Sequence, residues 1–98
     1  MILGDVVGDM VATVKHRALE GRRLLVIRPV TPEGEPAGKT FIALDSVAAG
    51  PGDRVLVNEE GRSAGEIIGF EGAPVRSVVV GVVDEIRLEG RAAYRKSP

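Results

Sequence analysis

Cysteine and tryptophan are absent from this sequence of 98 residues, and aromatic residues make up only 3% of it. Without cysteine the chain has no disulfide, zinc–thiolate site or cysteine nucleophile, and it is compatible with a reducing compartment. Histidine occurs once, at His16, between two basic residues. A lone histidine in a polar loop has no second ligand in view, so we expect no metal ion, no cofactor and no catalysis there.

The sequence also lacks an excess of charge of either sign and a long apolar run. Its 13 basic and 14 acidic residues give a net charge of -1, whereas a nucleic-acid or anionic-membrane partner requires a basic face. No apolar run approaches the roughly 20 residues of a membrane span, and the N-terminus Met-Ile-Leu-Gly-Asp has no basic n-region. We therefore expect a cytoplasmic protein with neither a membrane nor a nucleic acid as partner.

Glycine and proline are abundant by contrast, with 13 and 6 residues that divide the sequence into short pieces. Between them lie runs rich in valine, isoleucine and leucine, whose lengths are typical of strands in a small all-β barrel or sandwich. We place five such runs at Ile2–Val14, Arg22–Val30, Lys39–Asp45, Asp53–Asn58 and Val78–Leu88. Ser63 and Glu66 have the spacing of a capping box, which predicts one short helical segment from Ser63 to Phe70.

One segment, Gly34-Glu-Pro-Ala-Gly-Lys-Thr40, has the outline of a phosphate-binding Walker A loop. Only three residues separate its glycines where the motif has four, and Glu33 occupies the place of the first glycine. Pro36 removes a backbone N–H that such a loop needs to hold phosphate. The segment also leads into a run of strand length rather than a helix, so we interpret it as a hairpin turn.

The other reactive groups have no partners that would make them catalytic. Ser63 has no recognisable base, so we interpret it as a helix cap or a backbone-binding hydroxyl. Paired carboxylates lie in turns or at strand ends, where charged side chains are simply solvated. These pairs are Glu33/Glu35, Glu59/Glu60 and Asp84/Glu85.

A small β-barrel can also bind single-stranded nucleic acid, by stacking bases on aromatic side chains in a basic groove. The three aromatic residues here, Phe41, Phe70 and Tyr94, are far apart in the sequence and are not interleaved with basic residues. An oligonucleotide-binding module is therefore the alternative to the structural role that the rest of the sequence favours.

The stretch from Phe41 to Val57 has an apolar segment at each end and a loop of small residues, Ala48 to Gly52, between them. It contains no nucleophile–base pair and no set of metal ligands. Such a loop offers shape and contact rather than reactivity, because glycine allows another backbone to approach closely. The stretch therefore indicates a structural or assembly role.

Four segments in this order resemble the EutN/CcmL-type pentameric shell proteins, the vertex family of bacterial microcompartments. They are Met1–Lys15, Leu19–Val26, Ala43–Val57 and Val79–Asp84, and the resemblance covers residues 1–88. The third segment is the most recognisable, with an aspartate followed by a loop similar to Gly-Ala-Gly-x-Gly-Asp. The chain departs from the family at Ala48, where the loop often has glycine. It departs again at Arg62 and Gly65, in a segment that commonly reads Gly-Ser-Ser-Ala-Arg.

The resemblance implies a small closed β-barrel, similar to the oligonucleotide-binding fold, that assembles as a homopentamer at the vertices of a bacterial microcompartment. Its implied partners are further copies of itself and hexameric microcompartment shell proteins, and it implies a structural protein rather than an enzyme. We expect residues 1–90 to form the barrel domain and residues 91–98 to form a C-terminal tail or edge strand. The candidates for shaping the loop or the interface between subunits are Asp45, Gly50, Gly52, Asp53, Arg62, Ser63 and Ala64.

Overall fold

Seven β-strands make up the regular structure of the part of the chain that this computed structural model describes, which is residues 1–11, 21–59 and 76–97. The predicted helical segment from Ser63 to Phe70 lies outside the described residues. The strands are β1 (Ile2–Met10), β2 (Leu24–Pro29), β3 (Phe41–Asp45), β4 (Arg54–Asn58), β5 (Val78–Val82), β6 (Glu85–Leu88) and β7 (Arg91–Arg95).

Five of these strands close into a barrel in the order β1-β2-β3-β5-β4, with β4 pairing back onto β1. All the pairs are antiparallel except β3 with β5, which run parallel and meet only at Leu44↔Val78 and Asp45↔Val79. Closure leaves no strand of the barrel as an edge on the outside of the sheet. The predicted fold class, a small closed all-β barrel, is confirmed.

The core follows from strict alternation along the strands. Val55 and Val57 are fully buried, whereas Leu56 between them is 38% exposed, because successive side chains of a strand point to opposite faces. On β1, Gly4 faces the interior, where an added Cβ would lie 2.5 Å from Cγ2 of Ile27. Glycine is therefore required there for the barrel to pack. The core cluster consists of Val6, Leu25, Ile27, Ala43, Ala49, Val55, Val57 and Val79.

The last apolar run divides into two strands, so its assignment as one strand from Val78 to Leu88 is wrong. β5 ends at Val82, and the backbone N–H of Val83 adds one last bond to the β4–β5 ladder by donating to the carbonyl oxygen of Arg54 at 2.8 Å. From there the chain leaves the barrel. β6 and β7 form a separate two-stranded antiparallel sheet, which we call the C-terminal hairpin, with its turn at residues 89–90.

No helix long enough and apolar enough to cross a membrane occurs in the described ranges.

Candidate assembly loop and C-terminal hairpin

The loop between β3 and β4, residues 46–53, is shaped by the aspartates at its two ends. Asp45 is buried, and its Oδ1 accepts hydrogen bonds from the backbone N–H of Val47 at 3.0 Å and of Ala49 at 3.2 Å. At the other end, Oδ2 of Asp53 accepts from the N–H of Gly50 at 2.9 Å. Hydrogen bonds to a carboxylate are stronger than those to a neutral acceptor, so the two aspartates hold the loop backbone in one shape.

The same loop is fastened to the barrel by its backbone. The N–H of Val6 donates to the carbonyl of Asp53, and the N–H of Gly52 donates to the carbonyl of Val6, both at 2.9 Å. The Arg23 guanidinium donates to the carbonyl of Ala49 at 3.0 Å, and the methyl of Ala49 is fully buried in the core. The loop is therefore a fixed extension of the barrel rather than an independent segment.

Most of the exposed residues of the loop are apolar or glycine. Val47 is 36% exposed, and Ala48, Pro51 and Gly52 are exposed beside it. Ala48 adopts φ 59° and Gly52 adopts φ 94°, both in the left-handed region that an L-residue other than glycine enters at a cost. Glycine at position 48 would adopt this conformation without a crowded Cβ.

The structure brings four of the seven sequence-predicted residues together in this one loop: Asp45, Gly50, Gly52 and Asp53. The other three, Arg62, Ser63 and Ala64, lie outside the described residues. Two further residues, Arg23 and Ser46, hold the loop to the barrel, and the sequence did not single them out. The hydroxyl of Ser46 donates to the carbonyl of Val79 at 2.6 Å, and Arg23 donates to the carbonyl of Ala49. No sequence motif marks them, because each reaches a residue that is far away along the chain.

A second cluster, centred on Arg54, joins the barrel to the C-terminal hairpin. The guanidinium donates to the two carboxylate oxygens of Asp5 at 2.7 and 3.2 Å, and its centre lies 4.3 Å from the ring centroid of Tyr94 on β7. Both side chains of the ion pair are largely buried, 13% exposed for Arg54 and 23% for Asp5. The hydrogen bonds to Asp5 raise the pKa of Arg54 above its ordinary value, so the guanidinium stays charged.

The hairpin has further contacts near the loop and within itself. Nζ of Lys96 lies 4.0 Å from Oδ1 of Asp53, which ties the end of β7 to the aspartate that shapes the loop. On the outer face, Glu85 accepts from Arg95 at 3.0 Å and from Arg87 at 3.1 Å. The hydrogen bond from Arg95, followed by that from Arg87, lowers the pKa of the Glu85 carboxyl.

The Walker-like segment is a hairpin turn between the antiparallel strands β2 and β3, as predicted. Three of its backbone donors are already used within the chain. The N–H of Gly34 donates to the carbonyl of Thr31, that of Glu35 to the hydroxyl of Thr31, and that of Ala37 to the carbonyl of Pro29. A phosphate-binding loop needs these groups free, so the turn has no cradle for a nucleotide.

Metal-binding chemistry is likewise not assembled in the part of the chain that the structure describes, since no three His, Cys, Asp or Glu side chains there are grouped to hold an ion. The described geometry thus consists of a loop held in place by hydrogen bonds and a hairpin held to the barrel by Arg54 and Lys96.

Comparison with known proteins connects this geometry to a family. The family described as "Ethanolamine utilisation protein EutN/carboxysome" matches residues 1–84. The chain belongs to the EutN/CcmL family. The matched region ends where β6 begins, so the EutN/CcmL family match covers the barrel and leaves out the C-terminal hairpin.

Individual members of the EutN/CcmL family are similar along nearly the whole chain. The bacterial microcompartment shell vertex protein EutN of Escherichia coli (strain K12) is 36% identical, covering 98% of this chain and 100% of that protein. The solved structure of CcmL from Gloeobacter violaceus, a carboxysome shell vertex protein, has a TM-score of 0.88 at 31% identity and covers 98% of each chain.

A third relative is described as pentameric. The GrpN pentameric microcompartment shell protein from Rhodospirillum rubrum has a TM-score of 0.79 at 36% identity, covering 90% of this chain and 99% of that one. These relatives are named as shell proteins, not enzymes, which supports the structural interpretation of this EutN/CcmL family member over the nucleic-acid alternative.

Proposed function

We propose that this protein is a structural shell subunit that forms a homopentamer and caps the vertices of a bacterial microcompartment in the cytoplasm. The observation that carries the proposal is the family match over residues 1–84, together with similarity along nearly the full length to proteins named as shell vertex proteins, one of them pentameric. A fivefold unit suits a vertex, because a layer of sixfold tiles is flat and closes into a polyhedron only where fivefold units interrupt it.

The β3–β4 loop is the part of the barrel that we assign to contact between shell subunits. Its exposed residues are mostly apolar or glycine, and its backbone is held by Asp45 and Asp53 before any partner arrives. Pre-ordering reduces the entropy lost on association, so a rigid loop of this kind binds a neighbour with little further cost. The sequence candidates Arg62, Ser63 and Ala64 belong to the same proposal.

The oligomeric state tests the proposal directly. Native mass spectrometry or sedimentation equilibrium of the purified chain should give five times the 10.3 kDa of one chain. A protein that stays monomeric at all concentrations and salt conditions would contradict the homopentamer. Salt-sensitive retardation of a single-stranded oligonucleotide would instead favour the nucleic-acid-binding alternative.

The role of the loop is tested by Gly50→Val. An added Cβ at Gly50 meets nothing within 4 Å among the described residues, and its φ lies outside the left-handed region, so the barrel should fold normally. We expect the variant to keep the melting temperature of the barrel and to lose pentamers or shell assembly. Glu33→Val, at an exposed position of the β2–β3 turn, is the matched control and should assemble normally.

Hexameric shell proteins are the partners that we propose for the pentamer. Co-expression of this chain with a hexameric shell tile should yield closed particles, whereas the tile alone should give open sheets or tubes. Electron microscopy distinguishes these forms. Particles that are equally closed without this chain would contradict a vertex role, even if the purified chain is pentameric.

A further inference from the structure

Gly34, the residue that opens the Walker-like segment, lies against the guanidinium of Arg54. A Cβ added at Gly34 would be 3.1 Å from Nη2 of Arg54 and 3.5 Å from its Nη1. The first distance is shorter than an ordinary van der Waals contact, so a side chain at position 34 requires the guanidinium to move. The β2–β3 turn, residues 30–40, is therefore a direct neighbour of Arg54.

The guanidinium of Arg54 has little freedom to move. It is a rigid plane, and it donates to both carboxylate oxygens of Asp5, at 2.7 and 3.2 Å. Its centre also lies 4.3 Å from the ring centroid of Tyr94. Three parts of the chain thus contact one planar group: β1, the C-terminal hairpin and the β2–β3 turn. A shift of the guanidinium that accommodates one of them changes its contact with the other two.

The C-terminal hairpin depends on this contact more than the other two segments do. In the described ranges its strands pair only with each other, and neither packs along a strand of the barrel. Its other side-chain attachment, Nζ of Lys96 at 4.0 Å from Oδ1 of Asp53, is a partly exposed ion pair, and such pairs contribute little. A two-stranded hairpin alone is marginally stable at best. Its position on the barrel therefore depends chiefly on Arg54.

We propose that the C-terminal hairpin is a strap whose docking on the barrel is controlled from the β2–β3 turn through the guanidinium of Arg54. In the docked state the backbone of Gly34 and the ring of Tyr94 both lie against this group, which Asp5 holds in place. Displacing the turn moves the guanidinium, weakens its contact with Tyr94 and releases the hairpin. A partner that displaces the turn would therefore act on the hairpin as well.

Backbone strain at Gly34 has to be separated from its contact with Arg54. Gly34 has a φ of 94°, which by itself favours glycine. Gly52 has the same φ of 94°, but an added Cβ there meets nothing within 4 Å among the described residues. The two positions share the backbone strain and differ in the contact with Arg54, so they form a matched pair.

Gly34→Ala and Gly52→Ala test the proposal by amide hydrogen exchange on the full chain. Each places a Cβ at a φ of 94°, so both should lower the melting temperature. Only Gly34→Ala should speed the exchange of amides in β6 and β7 relative to those of the barrel strands. We expect an acceleration of about fivefold, the factor that corresponds to losing a cation–π contact at a partly exposed site.

The reverse measurement follows from the reciprocity of coupling. Tyr94→Leu removes the ring from Arg54, so it should also speed exchange in the β2–β3 turn. The groups to follow are the N–H of Gly34 and the N–H of Ala37, both hydrogen-bonded within the chain. Tyr94→Phe keeps the ring and should leave their exchange unchanged. Because this pair of variants does not alter the turn, it tests the proposal even if Gly34→Ala does not fold.

Two results would overturn the inference. Equal acceleration of hairpin exchange in Gly34→Ala and Gly52→Ala would assign the effect to backbone strain. Unchanged exchange of the turn in Tyr94→Leu would show that the turn and the hairpin are independent. Either result leaves the proposed homopentamer intact, because all the contacts in question lie within one chain. A monomeric wild-type chain would contradict the homopentamer and leave this inference standing.

Discussion

Arg54 and Asp5 face each other across the β1–β4 ladder and are joined by two hydrogen bonds, of 2.7 and 3.2 Å. The pair lies at the junction of the barrel with the C-terminal hairpin, because the guanidinium also lies against Tyr94 and the backbone carbonyl of Arg54 accepts from Val83. One side chain therefore connects the first strand of the chain to the last. The fixed position of the hairpin depends on it.

Removing the arginine of the Arg54–Asp5 pair should lower the stability of the protein by a large amount for a single substitution. Arg54→Met leaves a largely buried carboxylate without its partner, so we expect a loss of about 1.5–3 kcal/mol in the free energy of unfolding. Urea unfolding of Arg54→Met, Asp5→Asn and the double variant gives the coupling between the two side chains. The double variant should be less destabilised than the sum of the single ones. Additive losses would show that the pair contributes no coupling.

Tyr94 should hold the hairpin through its ring rather than through its hydroxyl. Tyr94→Leu removes the aromatic face beside Arg54, and we expect a loss of about 0.5–1 kcal/mol together with faster hydrogen exchange in β6 and β7. The barrel strands should keep their protection. Tyr94→Phe retains the ring and is the control. Equal exchange in both variants would assign the effect to the hydroxyl instead.

Ala48→Gly should stabilise the monomer. Ala48 adopts φ 59°, where the Cβ of an L-residue is crowded, and glycine relieves this although it adds freedom to the unfolded chain. We expect a net gain of about 0.5–1 kcal/mol by chemical denaturation. Ala49→Gly, at the next position, removes a fully buried methyl from the core and should destabilise. A loss of stability in Ala48→Gly would contradict the assigned backbone strain.

Lowering the pH should destabilise the C-terminal hairpin, because Glu85 becomes protonated. The hydrogen bonds from Arg95 and Arg87 lower the pKa of its carboxyl below the ordinary value of 4.5. A lowered pKa means that the carboxylate contributes its stabilisation above pH 4.5 and loses it as the pH falls through the folded pKa. Carboxyl NMR titration should show Glu85 titrating below 4.5. Arg95→Gln should raise that pKa, whereas an unchanged value would contradict the ion pair.

The barrel strands are the part of the fold that the sequence predicts best. Val55, Leu56 and Val57 alternate between buried and exposed as their spacing predicts, and β2, β3 and β4 fall within the runs predicted for them. The prediction failed after Val82, because one strand was drawn through the charged pair Asp84-Glu85 to Leu88. That pair marks the end of β5, but only the tertiary structure shows that the chain then leaves the barrel and forms a separate hairpin.

The residues of the candidate loop were likewise predicted only in part. Asp45, Gly50, Gly52 and Asp53 lie close in sequence, and the resemblance to the family's loop was enough to predict them together. Arg23 and Ser46, which fasten that loop to the barrel, were missed because their partners are 26 and 33 residues away. Contacts at such separations depend on strand register and barrel closure, which short-range patterns do not report.

The sequence by itself determined an all-β barrel of the EutN/CcmL family, because strand alternation, turn residues and the spacing of a loop are local properties of a chain. Only the tertiary structure decided what the glycines are for. Gly4 is required by the core and Gly52 by its left-handed backbone, whereas Gly8 and Gly81 stand at register shifts of the β1–β2 and β4–β5 ladders. All four are the same letter in the sequence, and they differ only in which atoms the closed barrel places beside them.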